Sequence, residues 1–135
     1  LFPGSIMNTA TKFSTKKRLR SFVFACNGIK NLVKNEHNAQ LHLIALFAAV
    51  VLGVLFNISP TEWIAIIMVS GMVIIAEILN TAIEKLSDFV EPKWNEKIGM
   101  IKDYGAAAVL ISAIVSLIVG GIIFIPRVWD WIIGS

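Results

Sequence analysis

A chain of 135 residues that is 56% hydrophobic and only 16% charged, with a mean hydropathy of +0.76, is too apolar for a soluble domain, where roughly 45–50% apolar and 25% charged residues are usual. Composition marks an integral membrane protein, short enough to form a single compact unit. The lone cysteine, Cys26, rules out an intrachain disulfide or a multi-cysteine metal site and reads as a small apolar residue on a helix face. Leu1 to Ile6 precede the first methionine, Met7. Residues 1–13 are expected to be a disordered or foreign N-terminus outside the fold, and no stretch is expected to be a cleaved signal peptide.

From Ser14 to Lys34, the apolar residues Leu19, Phe22, Val23, Cys26, Ile29 and Val33 recur at threes and fours. Lys16, Arg20, Asn27, Lys30, Asn31 and Lys34 fall between them. This pattern is a basic amphipathic helix over 14–34, expected to lie in the headgroup plane with its Lys and Arg toward anionic lipid. Asn35-Glu36-His37-Asn38 interrupts it. Residues 41–58, with only His42 and Asn57 polar, are long enough for a first membrane span. Glu36 reads as a helix-terminal charge, and His37 and His42 as interface residues. A tight turn follows at Asn57–Glu62, in which Thr61 is available as an N-cap.

The second span, 63–83, opens with an interfacial Trp63. Glu91-Pro92 ends the helix that carries it, and Pro92 to Asp103 reads as a surface turn or short helix. The third span is 106–125, with Ala106, Ala107, Ala108, Ser112, Ala113, Ser116 and Gly120 as small faces by which helices approach in lipid. Pro126 is expected to end it, leaving 126–135 as an interfacial tail carrying Trp129 and Trp131. The expected fold is therefore all-α: three transmembrane helices and one surface helix in a single membrane domain over 14–125.

Of the twelve basic residues, seven precede the first span, none lie between the first and second, four lie between the second and third and one follows. By the positive-inside rule the N-terminus and the second connection are cytoplasmic and the C-terminus outside.

The chemistry is concentrated in Gly71 to Asp88, GMVIIAEILNTAIEKLSD. Glu77, Asn80, Thr81, Glu84 and Asp88 are spaced so that a helix sets all five on one stripe. A charge inside a span costs roughly 2.5–3.5 kcal/mol on insertion scales, so such carboxylates face a partner, a cavity or an ion pathway. Together with Glu36, Asp103 and Lys102, the stripe suits a hard cation held by oxygen. Mg²⁺ takes one or two carboxylates and leaves its remaining positions to water and phosphate. Glu77, at partly apolar depth, is placed to take a proton from a lipid hydroxyl, and Lys102 to act as a point charge on phosphate. The soluble phosphate cradles GxxxxGK[ST] and GxGxxG are absent. Two other readings stand beside this one: a polar seam that only glues helices, and a small oligomeric channel or proton relay using Glu77 and Asn80. Conduction would call for more polar residues in Ile64–Val73, which offers only Ser70.

Glu77-Ile78-Leu79-Asn80-Thr81-Ala82-Ile83-Glu84, followed after three residues by Asp88, closely resembles the signature of the prokaryotic diacylglycerol kinase and undecaprenol kinase family of small membrane lipid kinases. Lys102-Asp103 with Gly105 and the alanine run resembles a second block of that family, and Asn35-Glu36 a third; the resemblance covers roughly Arg18 to Ile125. It implies a homotrimer of three-span subunits in the cell's inner membrane that transfers the γ-phosphoryl of MgATP to a lipid alcohol at the cytoplasmic interface. Diacylglycerol is named first as acceptor and undecaprenol second, and no nucleic acid is involved. By the same resemblance Glu77 is the catalytic base and Glu36 and Glu84 are the Mg²⁺ ligands. Asn80, Glu84, Asp88, Lys102 and Asp103 contact or position the nucleotide, joined by an N-terminal basic residue from among Lys17, Arg18 and Arg20.

Overall fold

The computed structural model describes residues 14–134. They form four helices in chain order: α1 (Thr15–Asn35), α2 (His37–Leu55), α3 (Pro60–Val90) and α4 (Glu96–Ile133). The last three are each long and apolar enough to cross a membrane. Many of their large apolar side chains point outward, Phe47, Leu55, Met68, Leu79, Leu117 and Ile122 among them. In water this would be untenable; in a bilayer the outer surface is the one that meets hydrocarbon.

The junctions are set by local hydrogen-bond chemistry. Ser14 opens α1, accepting from the Lys17 amide. A single extended residue, Glu36, both closes α1 and opens α2. The end of α2 is a Schellman turn. Asn57 adopts a left-handed φ of 48°, the Asn57 amide donates to the Val54 carbonyl at 3.2 Å, and the Ile58 amide donates to the Gly53 carbonyl at 3.1 Å. Asparagine accepts that backbone region more readily than most residues. The start of α3 is a full capping box: the Glu62 amide donates to Ser59 Oγ and the Ser59 amide donates to Glu62 Oε2 at 2.8 Å. The cap is thus Ser59 rather than Thr61, because Pro60 occupies the first helical position, where its missing N–H costs nothing. On α4, Asn95 is the cap, accepting from the Lys97 and Ile98 amides.

Two expected boundaries shift, those of the first and third spans, while the helix carrying the second ends at Glu91-Pro92 as expected. The first span begins earlier, at His37, and ends at Leu55. The helix carrying the second runs on to Val90, about 46 Å in all. The third is part of a helix that starts at Glu96 and continues straight through Pro126 to Ile133. Proline lacks an N–H and presses on the carbonyl four residues back, yet the helix persists here. Arg127 Nη1 donates to the Ile123 carbonyl at 2.6 Å, and Arg127 Nη2 reaches Glu62 Oε2 at 2.8 Å. The proline turn is held from outside by the start of α3.

Short connections make α2, α3 and α4 successive antiparallel neighbours, with α3 and α4 in the most extensive contact and α1 touching α2 and α3. Two ion pairs bracket the α3–α4 pair: Glu62 with Arg127 at one end and Asp88 with Lys102 at the other. They lie 26 residues apart on α3 (62 to 88) and 25 on α4 (102 to 127), so the helices run side by side with no break in rise. The apolar core of Ile58, Ile66, Ile123 and Phe124 sits at the Glu62 end, flanked by Leu52, Phe56 and Trp63. The opposite end is where the buried polar residues gather.

Gly53 sets how closely α2 approaches the start of α3, since a Cβ there would meet the Trp63 ring at 2.7 and 2.8 Å and Ile58 Cδ1 at 3.1 Å. Gly53→Ala is expected to lower the unfolding midpoint in detergent, with an overpacking cost of about 1–3 kcal/mol. Thermal melts of the two proteins in the same micelle check this.

Candidate active site

The α3 stripe passes from dry to wet along its length. Glu77 and Asn80 are buried, Glu84 is half-buried and Asp88 is exposed. Successive turns of one helix thus carry carboxylates through surroundings of steadily rising polarity.

Four members of the stripe, Glu77, Asn80, Glu84 and Asp88, are met by another group. Glu77, its side chain only 3% exposed, has His42 of α2 beside it, with Nε2 3.2 Å from Oε1. The distance is that of an ion pair, but the alignment is not that of a hydrogen bond, and Oε1 has no hydrogen-bond partner. Glu36 and Glu84 both lie near enough to repel the Glu77 charge. Asn80 Nδ2 donates to Glu84 Oε1 at 3.0 Å, while Asn80 Oδ1 is buried and unpartnered. Gly105 of α4 is pressed against that oxygen so closely that a Cβ would collide with it. Lys85 Nζ donates to Glu36 Oε1 at 2.9 Å, and Lys102 Nζ to Asp88 Oδ1 at 2.6 Å. Lys102 also feels the charge of Glu84.

Of the residues singled out from sequence, Glu36, Glu77, Asn80, Glu84, Asp88 and Lys102 share this end of the bundle. Asp103 is exposed on α4 next to Lys102. Lys17 and Arg18 stand apart, since 19 residues of helix place Lys17 about 28 Å along α1 from Glu36. Two participants were not legible as such. His42 is packed against Glu77 instead of facing an interface, and Lys85, read only as a topogenic charge, pairs with Glu36. A signal for His42 was present: Glu77 is the one acidic residue inside 63–83 and His42 the one titratable residue in 41–58, and neighbouring antiparallel helices bring such isolated polar groups together.

The donor set suits magnesium in kind. Glu36 and Glu84 offer hard carboxylate oxygens, and one or two such groups are what Mg²⁺ takes from a protein when phosphate and water complete its shell. Among the described residues no three or more His, Cys, Asp or Glu side chains cluster to hold a metal unaided. The unpartnered oxygens of Glu77 and Asn80 mark a site that lacks donors of its own. A substrate hydroxyl is a donor of the kind such oxygens accept.

Comparison with known proteins agrees. The sequence profile described as prokaryotic diacylglycerol kinase matches residues 23–124. The chain belongs to that family. Among proteins similar to it, the undecaprenol kinase of Bacillus subtilis (strain 168) is 37% identical over 108 residues, covering 80% of this chain and 88% of that protein. The diacylglycerol kinase of Escherichia coli (strain K12) is 31% identical over 111 residues, covering 82% and 89%. That of Synechocystis sp. (strain ATCC 27184 / PCC 6803 / Kazusa) is 29% identical over 137 residues, covering 92% and 78%. As a member of the prokaryotic diacylglycerol kinase family, the chain is a membrane-bound lipid kinase, and the profile match takes in every stripe residue, Glu36, and the lysines paired to Glu36 and Asp88.

The contact between Gly105 and Asn80 is open to a direct test. Gly105→Ala would push Asn80 off Glu84, and is expected to cut lipid phosphorylation at least tenfold, about 1.4 kcal/mol in barrier. Asn80→Ala should cost a similar amount, and the double variant little more than either, since both act through one contact. Initial rates for the three variants in mixed micelles check this.

Proposed function

We propose that the chain transfers the γ-phosphoryl group of ATP to the primary hydroxyl of a membrane lipid alcohol, converting diacylglycerol to phosphatidic acid at the cytoplasmic face of the inner membrane. The observation that carries the reading is the buried Glu77 carboxylate, with an oxygen free of hydrogen bonds, one turn from a nucleotide-compatible row of polar groups on the same helix. Its position along α3 sets it at the depth of the lipid, where the acceptor hydroxyl is; Glu84 and Asp88 lead from it toward water, where ATP is.

In this reading Glu77 takes the proton of the lipid hydroxyl as that oxygen bonds to the γ-phosphorus and the bond to the β-phosphate oxygen breaks, releasing ADP. Glu36 and Glu84 would hold Mg²⁺, which when bound supplies neutralisation of charge on the β- and γ-phosphate oxygens. Asn80 keeps Glu84 in place, and Lys102 and Asp103 stand where α4 can position phosphate and nucleotide. Lys102 would exchange Asp88 for phosphate as its partner. The spread of basic residues along the chain supports a cytoplasmic N-terminus and site with the C-terminus outside, and the exposed apolar residues Leu19, Phe22, Val23 and Ile29 of α1 support its lying on the bilayer surface. The reading includes a homotrimer: copies packing through the small faces of α4 would bury part of the exposed surface and bring Lys17, Arg18 or Arg20 of one copy to the nucleotide of another.

Undecaprenol is the second reading for the acceptor. What favours it is the higher identity to the Bacillus subtilis undecaprenol kinase than to the diacylglycerol kinases of Escherichia coli and Synechocystis. Purified protein in mixed micelles with γ-labelled ATP, offered both lipids at equal mole fraction, is expected to label diacylglycerol. Label mainly on undecaprenol reassigns the acceptor, and label on neither rejects the kinase. Glu77→Gln is expected to lower turnover by roughly 10²–10⁴ while nucleotide binding and oligomer size are kept, as read by a fluorescent ATP analogue and size-exclusion light scattering.

A further inference from the structure

The proton that reaches Glu77 in each turnover has to leave again, and the carboxyl is walled off: its side chain is 3% exposed, and the one titratable group within ion-pair distance is His42. His42 is the opposite kind of residue. Its side chain is 25% exposed, and it stands five residues into α2, about 8 Å from the start of that helix. It also lines the wall of a cavity of about 530 Å³ between α2, α3 and α4. It touches the enclosed base on one side and open space on the other. Nε2 and Oε1 at 3.2 Å leave room for a single proton between them, and a small turn of the ring would bring them into line.

We infer that His42 is a positioning residue for Glu77 and the outlet for its proton. With Glu77 bearing the proton from the lipid oxygen, the proton passes from Oε1 to Nε2 and the ring becomes imidazolium. The second ring nitrogen then gives one proton to a water molecule entering from the Glu36 end of the bundle, which restores neutral imidazole and the Glu77 carboxylate together; no other atoms move and no electrons are exchanged. Between turnovers the same ring fixes the carboxylate, which has no hydrogen bond to hold Oε1 otherwise. Glu36 and Glu84 push on Glu77 from the α1–α2 junction and from α3 itself.

This inference rests on the kinase reading, so the unaltered protein is the first control. Full-length protein, His42→Ala and His42→Gln are assayed in mixed micelles with saturating MgATP and the lipid alcohol that the unaltered protein uses. Both variants are expected to lose at least tenfold in kcat with KM for MgATP within twofold. Added imidazole should restore much of the rate to His42→Ala and none to His42→Gln, whose side chain fills the space. A kcat within twofold of the unaltered protein in either variant overturns the inference, as does a loss in His42→Ala that imidazole fails to relieve. If the unaltered protein phosphorylates no lipid alcohol, the kinase reading falls and this inference with it; if it does so and the variants match it, this inference falls alone.

Discussion

The structure depends on keeping one carboxylate where hydrocarbon should be. Burying Glu77 is unfavourable, since an ionised group taken from water loses several kcal/mol of solvation that a single neighbour does not return. The surrounding helices accept this loss and answer it with one imidazole from α2 and a polar stripe beneath it on α3. Nothing in packing alone calls for such a residue, as an isoleucine would fill the same space at no electrostatic cost. In the proposed reading the burden makes sense as pre-organisation: a base already dry and already placed does not have to be desolvated when the acceptor arrives.

In the proposed reading stability and chemistry are therefore kept at opposite ends of the bundle. The Glu62 end holds the apolar core, the Schellman turn, the capping box, and the arginine that bridges from α4 to the start of α3. The Asp88 end holds the buried Glu77, Asn80 and Ser87. An end that must admit substrates cannot also be densely packed, so the other end fixes the relation of the helices for both. Gly53 and Gly105 do the same work at the two ends, each letting a neighbouring helix come as near as a backbone allows, one against the Trp63 ring and one against the Asn80 amide.

Much of this could be read from the chain because the relevant patterns are local. Long apolar runs mark the spans whatever their partners, and the stripe from Glu77 to Asp88 follows from helical periodicity. The boundaries were less legible because they depend on contacts between helices. Pro126 should stop a helix on its own chemistry, yet α4 runs through it, with the next residue, Arg127, tied to Glu62, a residue 65 positions earlier. Thr61 is as good a cap as Ser59 until Pro60 decides where the first turn begins. His42 is a case of the same kind: a histidine near a helix start belongs at an interface unless a carboxylate on the next helix stands opposite, as Glu77 does. Which residues share the α3 stripe was plain in the sequence, but what each one touches was not.

The reach of α3 has a consequence for how two such unlike reactants meet. From Glu77 to Asp88 is eleven residues, about 16 Å of helix, and a headgroup layer is only about 5–8 Å thick on each side of the hydrocarbon. A single rigid rod thus has one acidic group below the lipid surface and another clear of it. In the proposed reading neither reactant has to change phase: the oily one can stay dissolved in the leaflet and the charged one in solution, and they need meet only across the thin boundary that the helix straddles.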